Sequence, residues 1–283
     1  MKKSICKMLL GLSVLAGVLR LADCIFFTQP DTGFVTVGSP WLRYGLLLIL
    51  VGVIVLAPAR TQQSQPLAIM LPLPKFAAVL AVLAIFDGGV MLGVAVRKFI
   101  APVTSLEIAF KGTGMQLLLF GLRMGIGLSL LAFGVWCFLL FARKTPLMPE
   151  KSATRTAGFA GSIFLYLLTL LRYAENPASI HRILRILPIF AALSALMFVV
   201  KLLGLLCVPC DTQRARTTAG CGILAFLFCT CIGLPQVLWQ WTAGTFVLTD
   251  FLLSVLLAGI GVLGACVALR LSDAPTSNAE QTI

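Results

Sequence analysis

The fold of this chain is decided by the stretch KFAAVLAVLAIFDGGVMLGVAVR, residues 75–97. Between Lys75 and Arg97 it carries a single ionisable side chain, Asp87, among apolar residues and glycines. At about 1.5 Å per residue, a helix of this length crosses the roughly 30 Å hydrocarbon core of a bilayer. A short carboxylate near its centre needs a partner, water or a proton. The stretch therefore predicts a transmembrane helix with a buried polar group.

The composition of the whole chain supports the same interpretation. Of its 283 residues, 59% are hydrophobic and 11% are charged, whereas soluble domains carry roughly 25% charged residues. We expect an all-α, polytopic integral membrane protein, a helical bundle with short loops in a lipid bilayer. The formal net charge of +12 does not indicate a nucleic-acid partner, because the cations are scattered at helix ends, where they anchor to anionic headgroups.

Similar apolar segments recur along the chain and predict about eight transmembrane helices. Their expected bounds are 4–27, 42–59, 75–97, 114–142, 157–173, 186–208, 219–241 and 246–268. The fifth segment is the shortest, and without it the chain would have seven spans. We expect residues 1–271 to form one transmembrane domain, and residues 272–283 to form a short, disordered polar tail.

The orientation follows from the distribution of Lys and Arg. Eight spans place both termini on one side, and more of the 22 cations fall on that side than on the other. This favours a plasma-membrane protein with both termini in the cytoplasm. The first span could alternatively be a signal peptide, since it follows a basic start, but Arg20 interrupts its apolar core and we expect the helix to be retained.

Four charged residues are predicted to lie in the membrane interior: Asp87, Arg123, Arg20 and Lys201. Helical rise places Asp87 and Arg123 roughly 15 and 18 Å from the same end of consecutive spans, so we expect them to pair. Arg20 is the rival partner, and Lys201 could reach the cytoplasmic interface along its own stem. The pair could fix helix register only, or line a path for a solute or protons. A protonated Asp87 without a role is the third possibility.

Glycine pairs predict where helices approach closely. Gly89 and Gly93 have small-xxx-small spacing in the third span, as do Gly121 and Gly125 in the fourth. Positions two residues apart differ by about 200° around a helix, so these glycines do not share a face with the charged residues. We expect at least three helices to meet near Asp87, which should face the bundle interior.

One short motif suggests a different chemistry. Cys207-Val208-Pro209-Cys210 is a C-x-x-C at the end of the sixth span, and Arg214 lies four residues after the second cysteine. Locally this is similar to bacterial membrane thiol oxidoreductases that pass electrons from a C-x-x-C to quinone, which implies a redox role for Cys207 and Cys210. The resemblance covers residues 207–214, in a loop that the charge bias places in the cytoplasm, where disulfides are rare.

Motifs for a catalytic nucleophile, a phosphate loop or a metal site do not stand out. We therefore expect no catalytic residue, metal or cofactor, and an enzyme is the less favoured class. The leading hypothesis is a permease-like or accessory membrane component that handles a small solute, ion or lipid. The alternatives are a non-catalytic scaffold or assembly subunit with a membrane partner, and a membrane thiol oxidoreductase.

Overall fold

The chain forms the all-α bundle that its hydropathy predicts. The computed structural model describes residues 3–29, 34–59, 74–100, 105–139, 152–175, 183–207, 212–244 and 247–273. Within them the helices are α1 (Lys3–Phe27), α2 (Pro40–Ala59), α3 (Pro74–Ile100), α4 (Ser105–Cys137), α5 (Ser152–Glu175), α6 (Ile183–Cys207), α7 (Thr212–Ala225), a π-helical segment (Phe226–Gly233), α8 (Leu234–Thr242) and α9 (Leu248–Asp273).

Eight helical segments in these described ranges are long and apolar enough to cross a membrane. The seventh consists of α7, the π-helical segment and α8, which follow one another directly. The fifth segment, the shortest one expected from the sequence, is a helix of 24 residues in α5. The protein is therefore a polytopic membrane protein. The plasma membrane and the cytoplasmic termini remain predictions.

Six of the eight spans close into a ring. Going round it, α3 packs on α4, α4 on α5, α5 on α6, α6 on α7, and α7 on α9, which returns to α3. The other two spans lie outside the ring. Here α1 packs on the π-helical segment, α8 and α9, while α2 packs on α7. In the apolar segment Pro40–Ala57 of α2, only 6% of the residues are buried. This makes α2 the most peripheral of these spans.

Glycines set the closest helix contacts in the ring. A Cβ atom on Gly88 of α3 would lie 2.9 Å from the carbonyl oxygen of Gly127 in α4. Between α7 and α9, a Cβ on Gly222 would lie 2.5 Å from the carbonyl oxygen of Gly264. Such positions let two helix backbones approach without side chains between them. Any larger residue there would force the helices apart.

These contacts correct the predicted glycine seams. In the described part of the chain, no atom lies within 4 Å of a Cβ built on Gly89, Gly93 or Gly121, and all three glycines are exposed. Gly125 does meet a neighbour, the side chain of Leu167 in α5. The small-xxx-small spacing tells which glycines share a helix face, but it does not tell which face meets another helix.

The seventh span widens in its middle because of Pro235. Proline has no N–H to donate to the carbonyl group of Cys231, one turn earlier, and the helix is π-helical up to Gly233. At this point α1 comes close, since a Cβ on Gly17 would lie 2.5 Å from the Cys231 carbonyl oxygen. The Thr230 hydroxyl donates a hydrogen bond to a carbonyl of α9 at 2.9 Å. The irregular turn is thus held by two neighbouring helices.

Candidate functional site

A cavity of about 420 Å³ lies among α3, α4, α5 and α9, at the end of the bundle opposite the start of α1. We call it the charged cavity. Its apolar wall includes Met91, Phe120 and Leu253. Its charged lining residues are Lys98, Arg123, Arg172, Glu175 and Asp250, and Gln116 and Thr249 add neutral polar groups. Ionisable groups are rare inside membrane spans, so five charged side chains that share one space at the end of a bundle are a distinctive feature.

Most of these charged residues lie where a span meets the membrane surface. Lys98 is in the last turn of α3, Arg172 is in the last turn of α5, and Asp250 is in the first turn of α9. Cations at helix C-termini and anions at N-termini are favoured by the helix dipole. The three helix ends therefore place charged side chains at one opening of the cavity, while the apolar parts of the same helices lie within the bundle.

Arg123 forms an ion pair across the cavity with Glu175. Its Nη2 donates to Oε1 of the carboxylate, and the two side chains are 12% and 30% exposed. The predicted pair between Arg123 and Asp87 is therefore wrong. The apolar run predicts a fifth span that ends at Tyr173 and so does not reveal Glu175, whereas α5 continues to Glu175. The extra half-turn carries the carboxylate into reach of α4.

Arg172 connects the charged cavity to the interior of the bundle. Its Nη1 donates to the carbonyl oxygen of Pro188, which lies inside α6. Arg172 also lines a narrow cavity of about 20 Å³, together with Cys229, Gln236 and Ser254. A space of this size holds about one water molecule. Polar groups thus continue from the charged cavity to the π-helical segment.

The π-helical segment contributes a buried thiol to this polar line. The Sγ atom of Cys229 donates to the carbonyl oxygen of Ala191 at 3.2 Å and lies 3.8 Å from the hydroxyl oxygen of Ser194. Such a thiol is held in place and shielded, which is typical of a structural cysteine rather than a reactive one. Single π-helical turns occur frequently at functional sites, because they displace backbone and side chains from their regular positions.

Asp87 lies beneath the floor of the charged cavity. It is 1% exposed, and neither carboxyl oxygen has a hydrogen-bond partner among the described residues. On α3 it shares a face with Met91 and Ala95, which both line the cavity. Met91 is one turn further along, about 6 Å along the helix axis. The burial confirms that Asp87 faces the bundle interior.

The other two predicted interior charges lie elsewhere. Arg20 is 8% exposed and donates to the carboxylate of Asp23, which also accepts a hydrogen bond from Nε of Arg43 at 2.8 Å. Arg20 thus belongs to a separate cluster and does not pair with Asp87. Lys201 is exposed on α6 and does not line the charged cavity. That its long stem reaches the cytoplasmic interface stays a prediction.

The charged cavity contains residues that the sequence did not single out. Lys98, Arg172, Glu175 and Asp250 line the cavity, but no sequence motif marks them. Their position near helix ends on the same side of the membrane is a sequence signal that could have grouped them. The sequence does not reveal the order of the helices around the ring. That order brings α9 next to α3 and completes the wall of the cavity.

The predicted redox pair lies outside the described residues, which exclude Cys210 and the side chain of Cys207. In the ranges that are described, no group of three or more His, Cys, Asp or Glu side chains could hold a metal ion. The thiol hypothesis therefore stays a prediction that rests on the sequence motif.

Comparison with known proteins gives no family assignment. No protein-family model matches the chain, and neither a curated protein nor a solved structure shows significant similarity to it. The conclusion that stands is a polytopic α-helical membrane protein with a charged cavity at one end of its ring.

Proposed function

We propose that the protein is permease-like and binds a small anionic or zwitterionic solute in the charged cavity. The observation that carries this proposal is the cavity of about 420 Å³ lined by three cations and two carboxylates. Its volume is in the range of small-molecule sites, roughly 300–1,000 Å³. Charged side chains inside membrane proteins are costly and mark solute or ion pathways.

The charge balance selects the class of solute. Glu175 neutralises Arg123, and the described hydrogen bond of Arg172 goes to a neutral carbonyl group. Asp250 offsets one of the two remaining cations, Lys98 and Arg172, so the lining keeps one net positive charge for a carboxylate or a similar anion. Asp250, at the start of α9 on the same mouth, is suited to an amino group of the solute. A small amino acid or carboxylic acid satisfies both requirements.

A route beyond the cavity is supported by two features below its floor. The first is the seventh span, whose π-helical segment and Pro235 interrupt the regular helix; interrupted helices commonly form the binding and moving parts of transporters. The second is Asp87, a buried carboxyl group one turn below the cavity lining. We assign Asp87 the role of carrying a proton or a cation during the transport cycle.

The test uses purified protein and a panel of amino acids and short carboxylic acids. A solute that binds the folded state raises the midpoint of thermal unfolding, and the rise grows with solute concentration. We expect at least one panel member to do this and to be taken up by proteoliposomes. Arg172→Gln should abolish both effects. Lys201→Gln removes an equally charged but exposed side chain, and should retain both.

Two outcomes would contradict the proposal. One is a panel without any stabilising or transported member. The other is an equal loss of binding in Arg172→Gln and Lys201→Gln, because the cavity would then have no special part in it. If Arg172→Gln lowers thermal stability while no solute affects the parent protein, the scaffold alternative is favoured instead.

A further inference from the structure

A second large cavity, of about 350 Å³, opens between α1 and α2, outside the ring of six spans. We call it the leucine groove. Its walls are mainly leucine side chains of the two helices: Leu12, Leu15, Leu19, Leu46, Leu47 and Leu50. Its polar end is formed by Arg20, Asp23, Arg43 and Tyr44. The groove is therefore amphipathic along its length.

The polar end carries excess positive charge. Asp23 accepts from Nη1 of Arg20, from Nε of Arg43 at 2.8 Å, and lies 2.7 Å from Nη2 of Arg43. One carboxylate thus serves two guanidinium groups. Since guanidinium groups stay protonated in proteins, one positive charge in this cluster is not neutralised by Asp23.

Several N–H donors of the two arginines are buried without an acceptor. Among the described residues, Nε and Nη2 of Arg20 and Nη1 of Arg43 have no hydrogen-bond partner. Arg20 is 8% exposed, and both arginines line the groove. Buried charged donors strongly favour an acceptor, and planar guanidinium forks match the oxygens of a phosphate group. The polar end therefore has the chemistry of an anion site.

The depth of the groove matches a membrane lipid. Arg43 lies in the first turn of α2, and Arg20 lies about 10 Å before the end of α1. Arg43 is thus near the headgroup level of the leaflet that contains the α1–α2 connection, and Arg20 lies deeper in the same leaflet. Leu12 lies about 12 Å further from that surface than Arg20, along the same helix. An acyl chain that runs along α1 from a headgroup at the arginines would contact the leucines.

We propose that the leucine groove binds one anionic phospholipid, with its phosphate between Arg20 and Arg43 and an acyl chain between α1 and α2. A soluble anion would use the arginines but leave the apolar walls uncovered. The lipid also accounts for the position of α2, which is mostly exposed and makes its principal helix contacts with α7 rather than with α1. The lipid fills the space between the two peripheral spans and ties α2 to the bundle.

The first experiment measures lipid selectivity. The protein is purified from proteoliposomes that contain equal amounts of phosphatidylglycerol and phosphatidylcholine, and retained lipids are counted by native mass spectrometry. We expect one tightly retained phosphatidylglycerol in the parent protein and at least fivefold less in Arg43→Gln. Lys201→Gln, which removes an exposed cation outside the groove, should match the parent. Equal retention of both lipids, or an unchanged Arg43→Gln, would overturn the proposal.

The second experiment tests whether the apolar wall contributes to lipid binding. It gives a result even if the arginine variant does not fold. Leu46→Trp enlarges a lining residue that is 62% exposed, while Leu48→Trp places the same residue on α2 at a position that is 74% exposed and not among the lining residues. We expect only Leu46→Trp to lose phosphatidylglycerol. Inorganic phosphate is added in parallel: if it stabilises the parent protein as well as the lipid does, the site takes a soluble anion and the lipid assignment is wrong. Neither arm uses the charged cavity, so the two proposals can fail separately.

Discussion

The charged cavity and the leucine groove are both lined by arginine side chains, but the partners of those arginines differ. In the ring, Arg123 has a carboxylate partner and Arg172 has a carbonyl partner on neighbouring helices. In the groove, Arg20 and Arg43 share one carboxylate, and three of their nitrogen atoms have no acceptor in the described part of the chain. The ring arginines connect neighbouring helices and leave only their excess charge for a solute, whereas the groove arginines keep N–H donors without an acceptor, which an added ligand can satisfy.

The difference follows from how tightly the two regions are packed. The ring is closed by backbone contacts at glycines, so its polar groups can reach partners on the next helix. Among the described glycines of α1 and α2, none makes such a contact with the other helix, and a lateral opening remains between them. Close packing accompanies the pairing of Arg123 and Arg172 in the ring. At the edge, α1 packs closely on the seventh span at Gly17, but α1 and α2 leave an opening between them.

The largest effect should come from a substitution that breaks close packing in the ring. Gly88→Val places its Cβ 2.9 Å from the backbone oxygen of Gly127, and we expect a loss of about 3 kcal/mol in stability, the upper range for overpacking. The matched control is Gly89→Val, one position along, where the Cβ meets no described atom within 4 Å; its effect should stay within about 0.5 kcal/mol. Reversible unfolding in mixed micelles measures both, and equal losses would contradict the ring contacts.

Some of these features could be predicted from the sequence and others could not, and the reasons are physical. Long apolar runs must cross the bilayer as helices, so the spans could be predicted. The burial of Asp87 followed in the same way, since a charge near the middle of a span avoids lipid. The partner of Arg123 could not be predicted, because it depends on the end of α5 and on the angle at which α4 and α5 meet. Pro235 was the available signal for the π-helical segment.

A smaller effect is expected from separating the ion pair in the charged cavity. Arg123→Gln or Glu175→Gln leaves one partly buried charge without its partner, and we expect each to cost about 1–2 kcal/mol, because both side chains retain some exposure. The double variant should cost clearly less than the two single changes together. A double-mutant cycle on unfolding free energies measures the coupling. Strict additivity would show that the two residues do not pair in the membrane.

The smallest effect on stability should come from Asp87→Asn, which tests a site where the ring resembles the groove. Asp87 is a buried polar group without a described acceptor or donor partner, although it lies within the closely packed ring. Asparagine has nearly the same volume, so we expect the unfolding free energy to change by less than about 1 kcal/mol. An asparagine cannot carry a proton, however, and uptake by Asp87→Asn proteoliposomes should lose its dependence on a pH gradient while solute binding in the charged cavity remains. If uptake keeps its response to the gradient, Asp87 has a packing role only, and the ring contains its unpaired carboxyl group for structural reasons.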